Sequence, residues 1–358
     1  MEYGLIGEHL PHSFSKIIHE KIADYTYNLH ELRPDEVEAF MRAAEFKGIN
    51  VTIPYKQTVI PFLDEISDQA RQIGAVNTVV NRGGKLYGYN TDYFGMRDLI
   101  KHNGVLPTGK KVLILGTGGT SKTAIAVATD LGASEIYRVS RSKGRGDITY
   151  EEAYEKHSDA EFLINCTPCG MFPKVNEAPI DITRFPKLSG VVDAIYNPLR
   201  DKLILSAQKK GIPAEGGLYM LVVQAVYACE MFIDTKIESA VSDRVFKEIL
   251  NSKRNIVLAG ADAAAKSAVA AALAAKLDRK VVEVNDETVE KYILENGLVI
   301  VTEDGVAAKE ENVDALKKNG FIIAMDGTVD DKACDGRIAE GTAPEQAAEQ
   351  ILEIMNSK

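Results

Sequence analysis

Residues 110–119 read Lys-Lys-Val-Leu-Ile-Leu-Gly-Thr-Gly-Gly, and this stretch decides the fold class. The apolar run is typical of a buried strand, and it leads directly into a glycine-rich turn. An alanine-rich segment then predicts a helix over 121–131, and residues 135–140 predict the next strand. A strand, a glycine turn, a helix and a second strand in this order indicate a dinucleotide-binding site.

The glycine turn contains the first candidate cofactor-binding residues, which are Gly116, Gly118, Gly119 and Thr120. Glycines allow the backbone to approach a pyrophosphate closely, and the N-terminus of the following helix supplies amide donors and a positive dipole. The turn is therefore expected to bind the phosphates of a dinucleotide.

Several cations follow the second strand of this unit. An acidic residue at this place binds the ribose hydroxyls of NAD, whereas this chain has Ser140, followed by Arg141, Lys143 and Arg145. Cations around the ribose suit the additional phosphate of NADP. A solvated basic turn is the alternative interpretation.

The stretch 48–56, Gly-Ile-Asn-Val-Thr-Ile-Pro-Tyr-Lys, contains a candidate catalytic residue. Its first half alternates apolar and polar residues like a short strand, and Pro54 ends the pairing because proline has no backbone donor. Lys56 is therefore expected just past a strand end, where a rigid strand positions a side chain beside open space. Taken alone, this position favours the alternative of a solvated surface charge, since lysines are mostly exposed.

Short strands and helices alternate on both sides of these stretches. The order predicts an α/β fold with a largely parallel sheet covered by helices. Gly88-Tyr-Asn-Thr-Asp92 is expected to begin a helix that ends near Asn103. Further strands are predicted at residues 3–7, 25–29, 75–81, 162–165, 190–194 and 212–214.

Ser13 and Ser15 flank the start of a predicted helix. Serine hydroxyls at a helix start commonly cap unpaired backbone amides. The alternative is a pair of hydroxyls that line a pocket for a polyhydroxy ligand. From the sequence alone, capping is favoured.

Composition limits the class of protein. The chain has 358 residues, enough for two or three domains, and 26% of them are charged. The formal net charge of −10 disfavours a general role in binding nucleic acid or anionic membranes. The first residues lack the pattern of a signal peptide, and no apolar run is long enough to span a bilayer. We expect a cytoplasmic protein without nucleic-acid or membrane partners.

Cys166 and Cys169 form a Cys-x-x-Cys pair, which raises the hypothesis of a thiol redox site. The chain has four cysteines, too few for a disulfide framework at this length. No second cysteine pair supports a zinc site, so we expect no metal.

Six motifs in order give the first 250 or so residues a close resemblance to the shikimate dehydrogenase family. They are Gly48-x-Asn-Val-Thr-x-Pro-x-Lys56, Gly74-Ala-Val-Asn-Thr78, Gly88-x-Asn-Thr-Asp92, Gly116-x-Gly-Gly119, Asn165-x-Thr-Pro-x-Gly-Met171 and Gly217-x-x-Met-Leu-x-x-Gln224.

The resemblance implies a fold and a set of site residues. It implies a substrate-binding catalytic domain at residues 1–103, completed by helices at 216–250, and a Rossmann domain at 104–215 that binds NADP. Lys56 and Asp92 would form the catalytic pair, and Thr167 and Gly217 would join the cofactor site. The implied ligands of shikimate are Ser13, Ser15, Thr52, Asn77, Asn90 and Gln224. The two cysteines occupy variable positions of their motif, which argues against a redox role.

The chemistry agrees with this pair of residues. Hydride transfer to a ketone builds negative charge on oxygen, and a nearby acid must supply a proton. A lysine can do this, and a carboxylate within hydrogen-bond reach can orient it. We therefore expect NADPH-dependent, reversible reduction of 3-dehydroshikimate to shikimate. The alternatives are a quinate/shikimate dehydrogenase that uses NAD, and a non-catalytic regulatory protein that binds metabolites of the pathway.

The tail of the chain, residues 254–358, resembles shikimate kinase with its working parts altered. Residues 251–255 are interpreted as a linker to it. Gly260-Ala-Asp-Ala-Ala-Ala-Lys266-Ser267 occupies the place of a phosphate-binding loop, but Ala265 replaces the glycine before the lysine. Glu283 and Asn285 stand at the family's paired aspartates. We expect a degenerate kinase-like domain without phosphoryl transfer.

The small-molecule substrate is the expected partner of the protein, and a homodimer is an open alternative to a monomer.

Overall fold

The computed structural model describes residues 1–10, 13–292 and 295–357 of the chain. The chain divides into two compact units. The first comprises Met1–Pro168, Pro179–Ala194 and Lys210–Phe246, and the second comprises Cys169–Ala178, Ile195–Lys209 and Lys247–Lys358.

The strands form three sheets. In chain order they are β1 Tyr3–Gly7, β2 Tyr27–Glu31, β3 Gly48–Val51, β4 Glu65–Ile66, β5 Thr78–Arg82, β6 Lys85–Tyr89, β7 Lys111–Leu115, β8 Glu135–Ser140, β9 Ile148–Thr149, β10 Phe162–Asn165, β11 Gly190–Asp193, β12 Ala214–Glu215, β13 Asn255–Ala259, β14 Val281–Val284, β15 Val299–Thr302, β16 Gly320–Ala324 and β17 Gly336–Arg337.

Helices separate most of these strands. They are α1 Ser15–Ile22, α2 Val37–Ala43, α3 Asp68–Ile73, α4 Asp92–His102, α5 Gly119–Asp130, α6 Tyr150–Lys156, α7 Lys202–Lys209, α8 Leu218–Ile233, α9 Ala240–Lys253, α10 Ala263–Leu277, α11 Val289–Tyr292, α12 Glu310–Lys317 and α13 Pro344–Ser357. Among the described residues, none of the helices has the length and apolar character that crossing a bilayer requires.

The first sheet, with strand order β2-β1-β3-β5-β6-β4, is mixed. β1 pairs in parallel with β2 and β3, and β4 with β6, but β5 is antiparallel to both β3 and β6. The expectation of a largely parallel sheet is therefore wrong for the β3-β5-β6 part. The turn Gly83-Gly84, where both residues have positive φ, of 61° and 89°, reverses the chain between β5 and β6. Such a turn matches the twist of a tight hairpin.

The second sheet is parallel throughout, with strand order β12-β11-β10-β7-β8-β9. Strands β8 and β10 have the predicted bounds. The chain runs from β7 outward to β9 and then returns to place β10 on the other side of β7. The direction of winding therefore reverses between β7 and β10, and ligands of such sheets bind at the carboxyl ends of the strands beside this point.

The core of the first unit positions α4, the helix that begins at Asp92. Met96 and Leu99 of α4 are fully buried in one apolar cluster with Ile114 of β7 and Val127 of α5. The Tyr93 hydroxyl also donates to Asp130 of α5 at 2.6 Å. The helix is therefore held firmly against the elements of the second sheet.

The third sheet belongs to the second unit and has the parallel strand order β14-β15-β13-β16-β17. The predicted linker at 251–255 is wrong, because α9 continues to Lys253 and β13 begins at Asn255. The Arg279 guanidinium donates to the carbonyl oxygens of Asn251 and Arg254 and so fixes this junction.

Residues 195–209 pack within the second unit through Arg200. Its Nε donates to the Lys317 carbonyl at 2.8 Å and its Nη2 to the Gly320 carbonyl at 2.5 Å. The neighbouring Leu199 amide donates to the side chain of Asn319 at 2.8 Å. Hydrogen bonds that involve a charged donor are among the stronger ones in proteins, so this segment is well anchored to the third sheet.

Candidate active site

A lysine and a carboxylate form the centre of the candidate site. Lys56 Nζ lies 2.5 Å from Asp92 Oδ2. The side chains are 27% and 18% exposed, respectively. Lys56 is therefore a partly buried, paired cation, and the alternative of a solvated surface charge is wrong. Asp92 is the first residue of α4, where the helix dipole favours negative charge.

The backbone around Lys56 is held on both sides. Its carbonyl accepts a hydrogen bond from the Val76 amide at 2.8 Å. The preceding Tyr55 is buried, and its hydroxyl donates to the Leu32 carbonyl at 2.5 Å. These contacts limit the freedom of the lysine's backbone and so aim its side chain.

Asn77 lies beside the start of α4. Its Oδ1 accepts hydrogen bonds from the Thr91 amide at 2.7 Å and from the Thr91 hydroxyl at 3.1 Å. Thr91 is the N-cap of α4 and directly precedes Asp92. The predicted substrate ligand Asn77 and the predicted catalytic Asp92 are thus brought together by one residue.

Gln224 and Asn90 lie close to the same residues. The Thr91 hydroxyl lies 3.4 Å from Gln224 Oε1, and Gln224 Nε2 donates to the Leu221 carbonyl. Asn90 is 2% exposed, and its Nδ2 donates to the Ala75 carbonyl at 2.9 Å. Its Oδ1 is buried without a hydrogen-bond partner among the described residues. A role of either residue in substrate binding stays a prediction.

Ser13, Ser15 and Thr52 are half-buried. The Ser15 amide donates to Ser13 Oγ at 3.3 Å, close to the capping interpretation, although Phe14 and not a serine is the N-cap of α1. The Thr52 methyl group lies against Gly7, where an added Cβ would come within 2.6 Å of it. The role of all three hydroxyls toward a ligand stays a prediction.

The glycine turn after β7 packs closely against neighbouring residues at Gly116 and borders open space at Gly118 and Gly119. Gly116 has φ of 101°, and a Cβ there would lie 3.1 Å from Thr167 and 3.3 Å from the Cys166 carbonyl. Gly118 and Gly119 have open space instead, since nothing lies within 4 Å of an added Cβ. Helix α5 begins at Gly119, so its free amides face this space.

The basic turn after β8 is open to solvent. Ser140 is 7% exposed, and its hydroxyl donates to the Ser142 carbonyl at 2.6 Å. Arg141, Lys143 and Arg145 are all exposed. Within the described ranges, neither Arg141 nor Arg145 forms an ion pair, which leaves both guanidinium groups available to an anion.

The loop after β10 is fixed by a buried pair. Asn165 Nδ2 donates to Asp193 Oδ2 at 2.7 Å, and both residues are fully buried. Asn165 Oδ1 accepts from the amide and the hydroxyl of Thr167 at 3.0 and 2.8 Å. Thr167 is thereby held beside Gly116, at the carboxyl edge of the second sheet.

Gly217 approaches another strand end at this edge. An added Cβ would lie 2.3 Å from the Ala194 carbonyl, directly after β11, so only glycine fits. Gly116, Thr167 and Ala194 follow parallel strands of one sheet, and Ser140 is the last residue of another strand of it. The predicted cofactor residues therefore share the edge where α/β sheets bind ligands.

The cysteines do not form a redox pair in this structure. All four lie within the described residues, and none of them forms a disulfide. Burial and, to a smaller extent, the Asp193 carboxylate raise the pKa of the Cys166 thiol, which disfavours the reactive thiolate. In the described part of the chain, no cluster of three or more His, Cys, Asp or Glu side chains has the arrangement of a metal site.

Comparison with known proteins identifies the family. The family description "Shikimate dehydrogenase substrate binding domain" matches residues 5–79. The chain is 36% identical over 261 residues to a shikimate dehydrogenase (NADP(+)) of Clostridium beijerinckii, and the match covers 68% of this chain and 96% of that relative. The chain belongs to the shikimate dehydrogenase family.

Solved structures of the shikimate dehydrogenase family agree with the fold. Shikimate dehydrogenase 1 from Peptoclostridium difficile matches with a TM-score of 0.63 and 34% identity, over 70% of this chain and 98% of that one. Shikimate 5-dehydrogenase from Thermus thermophilus, solved with NADP(H) and shikimate, has a TM-score of 0.62 and 25% identity, over 69% and 99% of the two chains. Both matches leave about a third of this chain uncovered.

Sequence reasoning missed three residues that lie behind the site of this member of the shikimate dehydrogenase family. Asn50, Thr78 and Thr91 are buried polar residues that connect to Asn77 through hydrogen bonds. All three stand inside the quoted motifs. The sequence signal that could have found them is a polar residue at a buried position of a strand or helix start. Such residues are uncommon unless they have a hydrogen-bond partner.

Proposed function

We propose that this member of the shikimate dehydrogenase family reduces 3-dehydroshikimate to shikimate with NADPH and also catalyses the reverse reaction. The observation that carries the proposal is the Lys56–Asp92 contact of 2.5 Å, one residue away from the Asn77–Thr91 hydrogen bond. This contact supports the proposal because a proton donor, its orienting carboxylate and a polar ligand group would then lie close together.

The residues at the edge of the second sheet fit NADP. Gly116 and Thr167 form a tight pair that a side chain at 116 would separate, while the space over Gly118 and Gly119 is open. The start of α5 would hold the pyrophosphate, and Arg141 with Arg145 would bind the 2′-phosphate. When bound, NADPH supplies the hydride.

Lys56 performs the proposed proton transfer, and Asp92 orients it. Reduction forms a C–H bond at the ketone carbon, and the electron pair of the C=O π bond moves to the oxygen. Lys56 donates a proton from Nζ to that oxygen, and Asp92 holds the ammonium group in place through its 2.5 Å contact. In the reverse direction neutral Lys56 accepts the hydroxyl proton.

Six polar residues are proposed to bind the hydroxyl groups and the carboxylate of the substrate. Asn77 and Gln224 are connected to each other through Thr91 and so form one polar surface. The proposed ligands are Ser13, Ser15, Thr52, Asn77, Asn90 and Gln224.

An absorbance assay tests the proposed activity. Shikimate and NADP should give NADPH, with little product from quinate and NAD. Equal turnover of quinate with NAD would favour the broader quinate/shikimate activity. No turnover of either pair would favour a non-catalytic regulatory protein and would contradict the proposal.

We also propose the domain arrangement and the location. Residues 1–103 with helices at 216–250 would bind substrate, residues 104–215 would bind NADP, and the protein would act in the cytoplasm. Whether it forms a homodimer stays an open prediction.

For the tail, we propose a degenerate kinase-like domain without phosphoryl transfer. Its parallel strand order β14-β15-β13-β16-β17 is compatible with a phosphate-loop kinase, with the altered loop directly after the central strand β13. Asn285, at one of the altered positions, accepts from the amides of Glu287 and Thr288 and therefore serves a turn.

The altered phosphate loop is filled by the protein's own side chains. Asp326 Oδ2 accepts from the Ala261 amide at 2.6 Å, and an added Cβ at Gly260 would lie 2.6 Å from the same oxygen. Lys266 is 1% exposed, and its Nζ donates to the carbonyls of Gly260 and Thr302. The Asp326 carboxylate thus accepts a hydrogen bond in the loop where a phosphate would bind, and the Lys266 ammonium group bonds to carbonyls of the protein.

A calorimetric titration tests this part of the proposal. ATP with magnesium should produce no binding heat, while NADP added to the same sample should bind and so show that the protein is intact. Tight ATP binding would contradict the degenerate-kinase proposal.

A further inference from the structure

A chain of buried polar side chains lies behind Asn77, and the proposed reaction does not use them. Tyr27 and Thr78 are fully buried, and Asn50 is 5% exposed. The Tyr27 hydroxyl donates to Asn50 Oδ1 at 2.7 Å, and Asn50 Nδ2 donates to Thr78 Oγ1 at 3.0 Å. The Thr78 hydroxyl lies 3.0 Å from Asn77 Oδ1. The chain therefore connects β2, β3 and β5 to the candidate site.

The donors in this chain all point the same way. Because the phenol proton of Tyr27 is given to the Asn50 oxygen, the Asn50 amide group must face Thr78 and also the Asn77 carbonyl, 3.3 Å away. Thr78 then accepts from Asn50, and its own proton points to Asn77 Oδ1 or to the Thr91 hydroxyl at 3.2 Å. In the second case the Thr91 hydroxyl can give its own proton to Asn77 Oδ1 at 3.1 Å, which is closer than its other acceptor, Gln224 Oε1 at 3.4 Å.

The result is a fixed orientation of the Asn77 amide. A backbone N–H can only donate, so the Thr91 amide at 2.7 Å requires an oxygen at this position of Asn77. The hydroxyls of Thr78 and Thr91 provide further donors to the same oxygen. Within the described residues, Asn77 Nδ2 forms no hydrogen bond to the protein.

We propose that Tyr27, Asn50 and Thr78 are positioning residues that hold the Asn77 amide with its Nδ2 toward a hydroxyl oxygen of the substrate. This proposal rests on the proposed function. The buried chain orients the Asn77 amide that would contact the substrate. Thr91, which is hydrogen-bonded to Asn77, also helps to fix the position of the adjacent Asp92. Rotation of the Asn77 amide would weaken substrate binding more than cofactor binding, because Tyr27, Asn50 and Thr78 all lie in the first sheet, whereas the proposed cofactor residues lie at the edge of the second sheet.

The variant Thr78→Val tests the proposal, because valine keeps the shape of threonine and removes its hydroxyl. We expect the KM for shikimate to rise about tenfold, the equivalent of one lost hydrogen bond, with the KM for NADP changed less than about twofold. Thr78→Ser should restore the wild-type KM. The matched control is Thr302→Val, which removes another buried threonine hydroxyl, bonded to the Leu258 carbonyl, and should leave the shikimate KM unchanged.

A double-mutant cycle with Asn77→Ala decides whether Thr78 acts through Asn77. In the Asn77→Ala background, Thr78→Val should change the shikimate KM less than about twofold, since no amide remains to be oriented. The same tenfold effect in both backgrounds, or no effect in the wild-type background, would overturn the proposal.

A second variant keeps the test decisive if Thr78→Val does not fold. Tyr27→Phe removes only the phenol oxygen that fixes Asn50. It should raise the shikimate KM in the wild-type background but not in the Asn77→Ala background, and an equal effect in both backgrounds would overturn the proposal. Failure of the proposed function is recognised separately, because the wild-type protein would then show no turnover of shikimate. Normal wild-type turnover with additive effects of the two substitutions contradicts the positioning proposal alone.

Discussion

Lys56 Nζ and Asp92 Oδ2 lie 2.5 Å apart although 36 positions of sequence separate the two residues. The first follows β3, and the second begins α4 after the β5–β6 hairpin. The fold therefore brings an ammonium group and a carboxylate into a charge-assisted contact, one of the stronger types of hydrogen bond. The predictions below test what this contact and its surroundings do.

Asp92→Asn should show whether turnover depends on the negative charge of Asp92, because it removes the charge and keeps the size of the side chain. Asparagine has nearly the same size but cannot balance the charge of Lys56, so we expect turnover to fall by about 10²–10⁴, the usual range for a lost acid–base function. NADPH binding, measured by fluorescence titration, should stay unchanged. The matched control is Asp68→Asn, an exposed acid at the first position of α3, which should keep normal turnover. Normal turnover of Asp92→Asn would contradict the assigned role.

Gly118→Ala should weaken NADP binding without destabilising the protein. An added Cβ meets no protein atom within 4 Å, and the backbone φ of −78° suits alanine. The methyl group would instead occupy the space expected for the pyrophosphate, so we predict a rise in the dissociation constant of NADP of at least about tenfold. Gly327→Ala, an equally open glycine of the second unit, is the control. Unchanged NADP binding by Gly118→Ala would place the cofactor elsewhere.

Arg141→Ala should change the choice between the two cofactors. Its guanidinium is exposed and has no ion-pair partner among the described residues, so the 2′-phosphate of NADP is its expected partner. A lost charged hydrogen bond corresponds to a rise of about ten- to a hundredfold in the KM for NADP. The KM for NAD should stay the same, and Arg42→Ala, at another exposed arginine, should change neither. An equal loss with NAD and NADP would rule out this role.

His19 should make the stability of the protein sensitive to pH. Burial lowers its pKa from 6.5 to about 3, and its neighbours Tyr25, Tyr27 and Cys229 carry no negative charge that would oppose this. Unfolded His19 takes up a proton below pH 6.5, whereas folded His19 stays neutral until about pH 3. The free energy of unfolding is therefore lost progressively as the pH falls from 6.5 towards 3.

Guanidinium unfolding at pH 7 and pH 5 measures this contribution. His19→Gln should reduce the difference between the two free energies of unfolding by about 2 kcal/mol. His30→Gln, at an exposed histidine, should leave the difference as it is in the wild type. The explanation fails if His19→Gln and the wild type lose equal stability between these pH values.

The sequence predicted those parts of the fold that depend on local patterns. Strands β8 and β10 have the predicted bounds because apolar runs with turn residues on both sides mark them clearly. Strand β6 was missed, since Lys85–Tyr89 has a glycine and a lysine and becomes a strand only through pairing with β5. The linker before the tail was also wrong, because α9 gains support from the Arg279 side chain, which is distant in sequence.

In the candidate site too, some residues could be predicted from local sequence and others depend on contacts between distant segments. Motif order was enough to select Lys56, Asp92 and Asn77 as candidates. The buried chain behind Asn77 depends on strand register, which places Asn50 opposite Thr78 on β5. Register follows from the pairing of distant strands, and a single segment of sequence does not contain that information. The supporting residues therefore became visible only in the structure.

Lys56→Ala tests the central claim most directly. The rate of NADPH formation from shikimate and NADP should fall by about 10²–10⁴ because no other group would accept the hydroxyl proton, while NADPH binding stays at the wild-type level. Lys85→Ala, at an exposed lysine of β6, should keep the wild-type rate. If Lys56→Ala forms NADPH at the wild-type rate, Lys56 is not the acid–base group of this protein.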